Sequence, residues 1–203
     1  MSLIARKRYL GCAVFTSKSC HGEIDLASEC LILSEKFNEA VLALGSNMNE
    51  RGENIVRAVE VLSKVPIVNV KKISRVYETE PYGVPVQQEN FLNCCLKIST
   101  NLSERALLGV CLGIEVSLGR ERPYRFASRI IDIDLICYES CKINTAELCL
   151  PHSRAKDRPF VIAPMHDLYP GEIPEYFGFE SEMKKIDDSY FENIFSYDEI
   201  IKS

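Results

Sequence analysis

The feature that most restricts the fold is the order in which hydrophobic periodicity changes along residues 40–138. Ala40-Val41-Leu42-Ala43-Leu44 is a short apolar run stopped by Gly45-Ser46-Asn47, which predicts a strand and then a turn. Ile55, Val59 and Leu62 recur at helical spacing and predict a helix from about Gly52 to Lys64, ended by Pro66. Ile67 to Tyr77 reads as one long strand. Glu80-Pro81-Tyr82-Gly83-Val84-Pro85 reads as a loop, because two prolines and a glycine break both periods. Phe91 to Ile98 is a further strand. Ser103 is an N-cap candidate for a helix to about Leu118 that buries Leu107, Leu108, Cys111, Ile114 and Leu118, with Gly119 as its stop. An arginine-rich loop at 120–129 leads into a strand from Ile130 to Tyr138.

The order β-α-β-β-α-β predicts an α+β, ferredoxin-like domain: an antiparallel sheet with both helices on one face. A chain of 203 residues, 46% hydrophobic and 26% charged, can bury the core such a domain needs. Three zones are expected: an N-terminal extension (1–38), a main domain (39–171) and an acidic C-terminal extension (172–203). In the first, Leu26, Cys30, Leu33 and Phe37 fall at helical spacing. The last holds nine acids, three lysines and seven of the eighteen aromatic residues, so it is expected to pack rather than float.

Net charge −5 argues against a general nucleic-acid binder, which needs a positive field. No apolar run approaches the ~18–20 residues that span a bilayer. The short apolar stretch after Arg6-Lys7-Arg8 lacks a small-residue cleavage box, so a processed leader is not expected. Nine cysteines are present without a C-x-x-C pair, and Cys94, Cys95, Cys111 and Cys137 sit inside apolar runs as small hydrophobes. That usage predicts a reducing, cytoplasmic setting. Cys137 and Cys141 are poorly spaced for zinc.

The most informative stretch is Arg129-Ile130-Ile131-Asp132-Ile133-Asp134-Leu135-Ile136. On a strand, Ile131, Ile133 and Leu135 face one way, and Asp132 and Asp134 face the other, with Cβ atoms roughly 7 Å apart. Taken alone, such a pair reads as the solvated side of an antiparallel sheet. The neighbouring charge changes that reading. Arg120, Arg122, Arg125 and Arg129 lie just upstream with one acid, Glu121, among them. Two carboxylates able to hold hard divalent cations, beside several guanidinium groups, are what transfer of a polyphosphate requires. No Walker A and no G-x-G-x-x-G motif occurs, so phosphates would be held by side chains on loops.

With these residues in view, the chain resembles the 6-hydroxymethyl-7,8-dihydropterin pyrophosphokinase family. The resemblance is carried, in order, by Leu44-Gly45-Ser46-Asn47, Tyr77-Glu78-Thr79-Glu80-Pro81-Tyr82-Gly83, Phe91-Leu92-Asn93 and Glu115-Val116-Ser117-Leu118-Gly119-Arg120-Glu121-Arg122. It continues in Arg129-Ile130-Ile131-Asp132-Ile133-Asp134, Leu150-Pro151-His152 and Arg158-Pro159-Phe160-Val161. These pieces span about residues 40–170. The resemblance implies a ferredoxin-like catalytic domain that converts ATP and 6-hydroxymethyl-7,8-dihydropterin into AMP and the pterin diphosphate, in folate biosynthesis.

It also implies roles. Asp132 and Asp134 match the ligands of Mg2+, two ions accompanying ATP. Arg120 and Arg129 match residues that contact the triphosphate and support the transferring group. Arg122, Glu115, His152 and Arg158 match further nucleotide-side positions. Thr79, Pro81 and Tyr82 match the pterin-contacting loop, Asn93 the amide on the pterin edge, and Phe91 and Phe160 the aromatics that bracket the ring. The family's loop commonly carries a tryptophan; this chain has none, and Phe126 is the nearest aromatic. Fusion to or association with another folate-pathway enzyme is left open. The rival readings are a non-catalytic relative and a ferredoxin-like nucleic-acid-binding module.

Overall fold

The computed structural model describes residues 36–202 apart from 84–86, 122–126, 172, 186–188, 190 and 192. The expected helix around Leu26, Cys30 and Leu33 lies outside the described residues, as do Arg122, Arg125 and Phe126. In chain order the elements are β1 (Asn38–Ser46), α1 (Arg51–Ser63), β2 (Val68–Ile73), β3 (Val76–Thr79), β4 (Phe91–Thr100), α2 (Glu104–Ser117) and β5 (Asp132–Tyr138). They are followed by β6 (Ile143–Asn144), β7 (Cys149–Leu150), α3 (Pro159–Leu168), α4 (Glu180–Met183), β8 (Asn193–Phe195) and α5 (Tyr197–Ile201).

β1 runs through the middle of the sheet, antiparallel to β4 on one side and β5 on the other. The order is β5-β1-β4-β3-β8, with β2 also on β4, so the main sheet is antiparallel throughout. Strand alternation sends Ala40, Leu42 and Leu44 to one face, where they meet Ile55 and Leu62 of α1, Leu107 and Cys111 of α2, and Ile133 and Leu135 of β5. Both helices follow the expected stripes, and Ser103 caps α2 by accepting from the Ala106 N–H at 3.3 Å.

Two departures matter. The long strand expected from Ile67 to Tyr77 is broken at Ser74-Arg75. Ser74 Oγ accepts from Cys95 N at 2.9 Å while Ser74 N donates to Cys95 O at 3.0 Å, so a hydroxyl replaces a backbone carbonyl in the ladder. The second departure is larger. The expected arrangement, helices on one face and an open face opposite, holds for α1 and α2 only. α3 lies on the other side, where Val161, Ile162 and Met165 pack with Val41, Cys95, Ile136 and Cys137. Cys94 and Cys95 are therefore both fully buried, one under each layer.

At Ile136-Cys137, β5 carries one extra residue opposite Val41 of β1. This bulge turns both side chains toward α3.

The acidic C-terminal stretch packs onto this body. β8 pairs with β3, and Phe177, Phe179 and Met183 join the core beneath α3. α5 meets α1, where Ile200 comes so close that a Cβ on Gly52 would stand 2.7 Å from Ile200 Cγ2. Among the described residues, no helix is long and apolar enough to cross a membrane.

α3 is pinned at its C-terminal end. Asp167 accepts from the Tyr77 hydroxyl at 2.8 Å and from the Arg75 guanidinium at 3.0 Å, and Lys72 Nζ donates to the Asp167 carbonyl at 2.5 Å. A carboxylate near a helix C-terminus is disfavoured by the dipole, and these cations offset that. Asp167→Ala removes the carboxylate that accepts from the phenol of fully buried Tyr77. It is expected to lower stability by about 1–3 kcal/mol, read as a reduced midpoint in urea unfolding; an unchanged midpoint refutes the clamp.

Candidate active site

On the α3 side of β1, side chains shrink along the strand from Val41 to Ala43 to Gly45. Val41 is covered by α3, whereas Ala43 and Gly45 floor a cavity of about 340 Å³. Register places Asp132 and Asn93 on either side of Gly45, and Asp134 beside Ala43. The floor must be this low. A Cβ on Gly45 would stand 3.0 Å from Asn93 Oδ1 and 3.6 Å from Phe91 Cδ1.

One end of the cavity is amide and aromatic. Asn93 Nδ2 donates to Thr79 Oγ1 at 2.9 Å, which fixes the direction of the amide. Phe91, Tyr82 and Phe160 contribute rings, the last two edge to face with centroids 6.0 Å apart. The Arg158 guanidinium lies 5.6 Å from the centre of the Phe160 ring.

The other end is ionic. Asp132 accepts from Arg120 at 2.5 Å through Oδ1 and from Arg129 through Oδ2. Arg120 also donates to Glu115, whose Oε1 takes the Ile133 N–H at 2.7 Å. Among the described residues, Asp134 accepts from Arg158 alone, at 3.4 Å. The two carboxyls consequently titrate apart. Burial works to raise that of Asp132, but Arg129 and Arg120 outweigh it and hold the group below the ordinary carboxylate range. Burial and the charge of Asp132 push Asp134 above that range. His152, held by its N–H to Ile136 O at 2.8 Å, is lowered chiefly by burial.

Thr79, Tyr82, Phe91, Asn93, Arg129, Asp132, Asp134, Arg158 and Phe160 all line this one cavity. Pro81, Glu115, Arg120 and His152 stand outside its lining: Glu115 and Arg120 are packed behind Asp132, and His152 is near Asp134. Arg120 Nε is buried with no hydrogen-bond partner among the described residues.

Three contributors were not singled out from the sequence. Gly45 appears there as a strand stop and a motif member, with no role of its own. Arg154 lines the cavity from the turn after His152. Asn47, 1% exposed, accepts from Arg129 N at 2.8 Å and donates to Gln88 Oε1 at 3.1 Å, tying two loops to the end of β1. Only its place in a motif hinted at a role, since its partners lie 41 and 82 residues away.

The sequence profile of the 7,8-dihydro-6-hydroxymethylpterin-pyrophosphokinase (HPPK) family matches residues 41–170. The chain belongs to the HPPK family. A relative in Methylorubrum extorquens, named 2-amino-4-hydroxy-6-hydroxymethyldihydropteridine pyrophosphokinase, is 36% identical over 158 residues, covering 78% of this chain and 99% of the relative. The folate synthesis bifunctional protein of Arabidopsis thaliana is 40% identical over 133 residues, 65% of this chain but 27% of that protein. The crystal structure of Plasmodium falciparum HPPK-DHPS wild type with pteroate agrees in fold, with a TM-score of 0.59 at 15% identity over 74% of this chain and 42% of that one. The match spans the cavity, both acids and every arginine placed around them.

The opposed shifts of the two acids give opposite stability effects. A raised Asp134 means its charge disfavours the folded state. That penalty is absent below the ordinary carboxylate pKa of about 3.9 and grows as pH rises through the raised value. Asp132, held low, stabilises above its ordinary value and loses that contribution as pH falls through the lowered one. Asp134→Asn is therefore expected to raise the melting temperature near neutral pH, and Asp132→Asn to lower it. In thermal scans the Asp134 difference should vanish as pH falls to the ordinary carboxylate value and the Asp132 difference should fade only below it, and shifts of the same sign for both variants near neutral pH contradict the assignment.

Proposed function

We propose that this HPPK family member transfers diphosphate from ATP to 6-hydroxymethyl-7,8-dihydropterin, giving AMP and the pterin diphosphate in folate biosynthesis. One observation carries the reading: a single cavity sets an oriented amide and three rings beside two aspartates and the arginines around them. A pterin is flat and polar, and its faces suit Phe91 and Phe160 while its edge suits Asn93. Thr79, Pro81 and Tyr82 form the loop at that end. The strand order β5-β1-β4-β3 supports the finer, ferredoxin-like assignment.

In this reading the pterin hydroxymethyl oxygen attacks the β-phosphorus. A new P–O bond forms, the bond from the β-phosphorus to the oxygen shared with the α-phosphate breaks, and AMP departs with those electrons while the hydroxyl proton is lost. Such transfer relies on positioning and charge neutralisation. Arg120 and Arg129 are assigned to the triphosphate, with Arg122, Arg158 and His152 as further nucleotide contacts and Glu115 as the group that holds Arg120.

Asp132 and Asp134 are assigned to Mg2+. Hard carboxylate oxygens suit this ion, which is commonly bound by one or two carboxylates together with substrate phosphates. Asp132 and Asp134 would hold the ion, and the remaining oxygen donors would come from the nucleotide's phosphates and from water. Bound with ATP, the ion supplies positive charge to the phosphate oxygens. The arginines that pair with the two acids are those assigned to phosphate, and two of them, Arg129 and Arg158, line the cavity itself, so a shift from carboxylate to phosphate needs little movement of either.

Association with another folate-pathway enzyme belongs to this reading. It is supported by relatives such as the Lactococcus lactis "Bifunctional protein FolKE", 34% identical over 148 residues that make up 42% of that protein. A nucleic-acid-binding module is disfavoured by the family match and by acids on the sheet face where bases would stack.

The test is turnover of MgATP and 6-hydroxymethyl-7,8-dihydropterin, with AMP and the pterin diphosphate quantified by chromatography. Asp132→Asn and Asp134→Asn are expected to abolish Mg2+-dependent AMP release while the fold persists. Arg120→Ala should lower kcat by about 10²–10³-fold, with smaller effect on pterin binding. Full turnover by either aspartate variant, or a change in Arg120→Ala confined to KM, overturns these roles.

A further inference from the structure

The cations at the ionic end differ in their engagements. Arg120 and Arg129 both donate to Asp132, Arg120 is further held by Glu115, and Arg158 is held by Asp134. Each therefore has part of its charge and of its donor fork already engaged by a carboxylate. Arg154 lines the same cavity, is exposed, and has no carboxylate or other hydrogen-bond acceptor on its guanidinium among the described residues.

Its backbone is firmly placed. Arg154 N donates to His152 Nδ1 at 3.3 Å, His152 N donates to Ile136 O in β5, and the next residue, Ala155, is fully buried. The guanidinium thus projects from a turn fastened to the strand that carries both aspartates. The charges facing it do not satisfy it. Arg158 is a like charge, and the charge of Arg154 works to lower proton affinity at both Arg158 and His152. Asp134 is engaged with Arg158, and Glu80 and Asp157 line the cavity without pairing with Arg154. An uncompensated cation placed beside other positive groups in a concave site favours an incoming anion.

We propose that Arg154 is the capture residue for the nucleotide's polyphosphate, meeting it before the paired arginines change partners. This inference rests on the ATP-binding reading above. Arg154 then acts on the rate of association more than on the chemical step. Its effect is electrostatic, so a lysine can replace it and salt weakens it: the screening length falls from about 30 Å at 0.01 M to about 8 Å at 0.15 M.

The experiment is stopped-flow binding of a ribose-labelled fluorescent ATP analogue with Mg2+ to the full chain, at low and high ionic strength. Arg154→Ala is expected to slow association about three- to tenfold at low salt, and Arg154→Glu more, with the differences shrinking at high salt. Arg154→Lys should stay near wild type, the dissociation rate should change little, and pterin affinity should be unaltered. Wild-type association rates in both Arg154→Ala and Arg154→Glu at low salt overturn the inference. An equal loss in Arg154→Lys, accompanied by a lower melting temperature and weaker pterin binding, also overturns it by showing a structural role. Failure of the wild-type chain itself to bind the analogue overturns the ATP reading and this inference with it, and is seen before any variant is compared.

Discussion

The candidate site is organised around two carboxylates of one strand held in unequal fields. Asp132 is flanked by two guanidinium groups, and Asp134 by one at longer range. The inequality follows from position. Asp132 sits at the strand end, where the arginine-bearing loop returns and Glu115 supports Arg120 from below. Asp134 sits one pleat deeper, beside Ala43, where Arg158 reaches it from just before α3. A site charged in this way can receive a highly anionic ligand because the positive groups are already present and have only to exchange one set of oxygens for another.

Stability and use pull against each other here. A glycine inside a central strand weakens that strand, and a raised Asp134 carries a charge its surroundings disfavour. The sheet tolerates both because the opposite face is tightly filled by α1 and α2, and because α3 is clamped to β3 through Asp167. The face that carries the cavity is therefore the thinly furnished side of an otherwise well-packed layer.

How much of this was legible in the sequence follows the range of the interactions. Alternation in Ile131 to Leu135 fixed which way the acids point, because a strand allows only two directions. The stripes of α1 and α2 were equally readable. α3 was not: Pro159 and Pro164 interrupt the run, and its buried residues, Val161 to Met165, circle the helix instead of marking one face. The break at Ser74 depends on a hydrogen bond to a residue 21 positions away, and the Asp167 clamp on partners about 90 positions away. Such pairings leave no local pattern. Arg154 escaped for another reason: an arginine in a turn looks like an ordinary solvated charge until the cavity beside it is seen. Of the site residues named from the sequence, those on β3, β4 and β5 and at the start of α3 meet in one cavity, whereas Glu115 and Arg120 form a layer behind it.

The pairing of β8 with β3 has a consequence for how this chain behaves in company. Val76, Tyr77 and Glu78 face Phe195, Ile194 and Asn193, and Asn193 adds a side-chain bond to Glu78 at 2.9 Å. Without that last strand, β3 would end the sheet with bare peptide groups, a template on which a second polypeptide can zip. The short β8 thus serves as a selvedge: it finishes a border that would otherwise invite polymerisation, and it does so on the strand whose last residue, Thr79, lines the cavity.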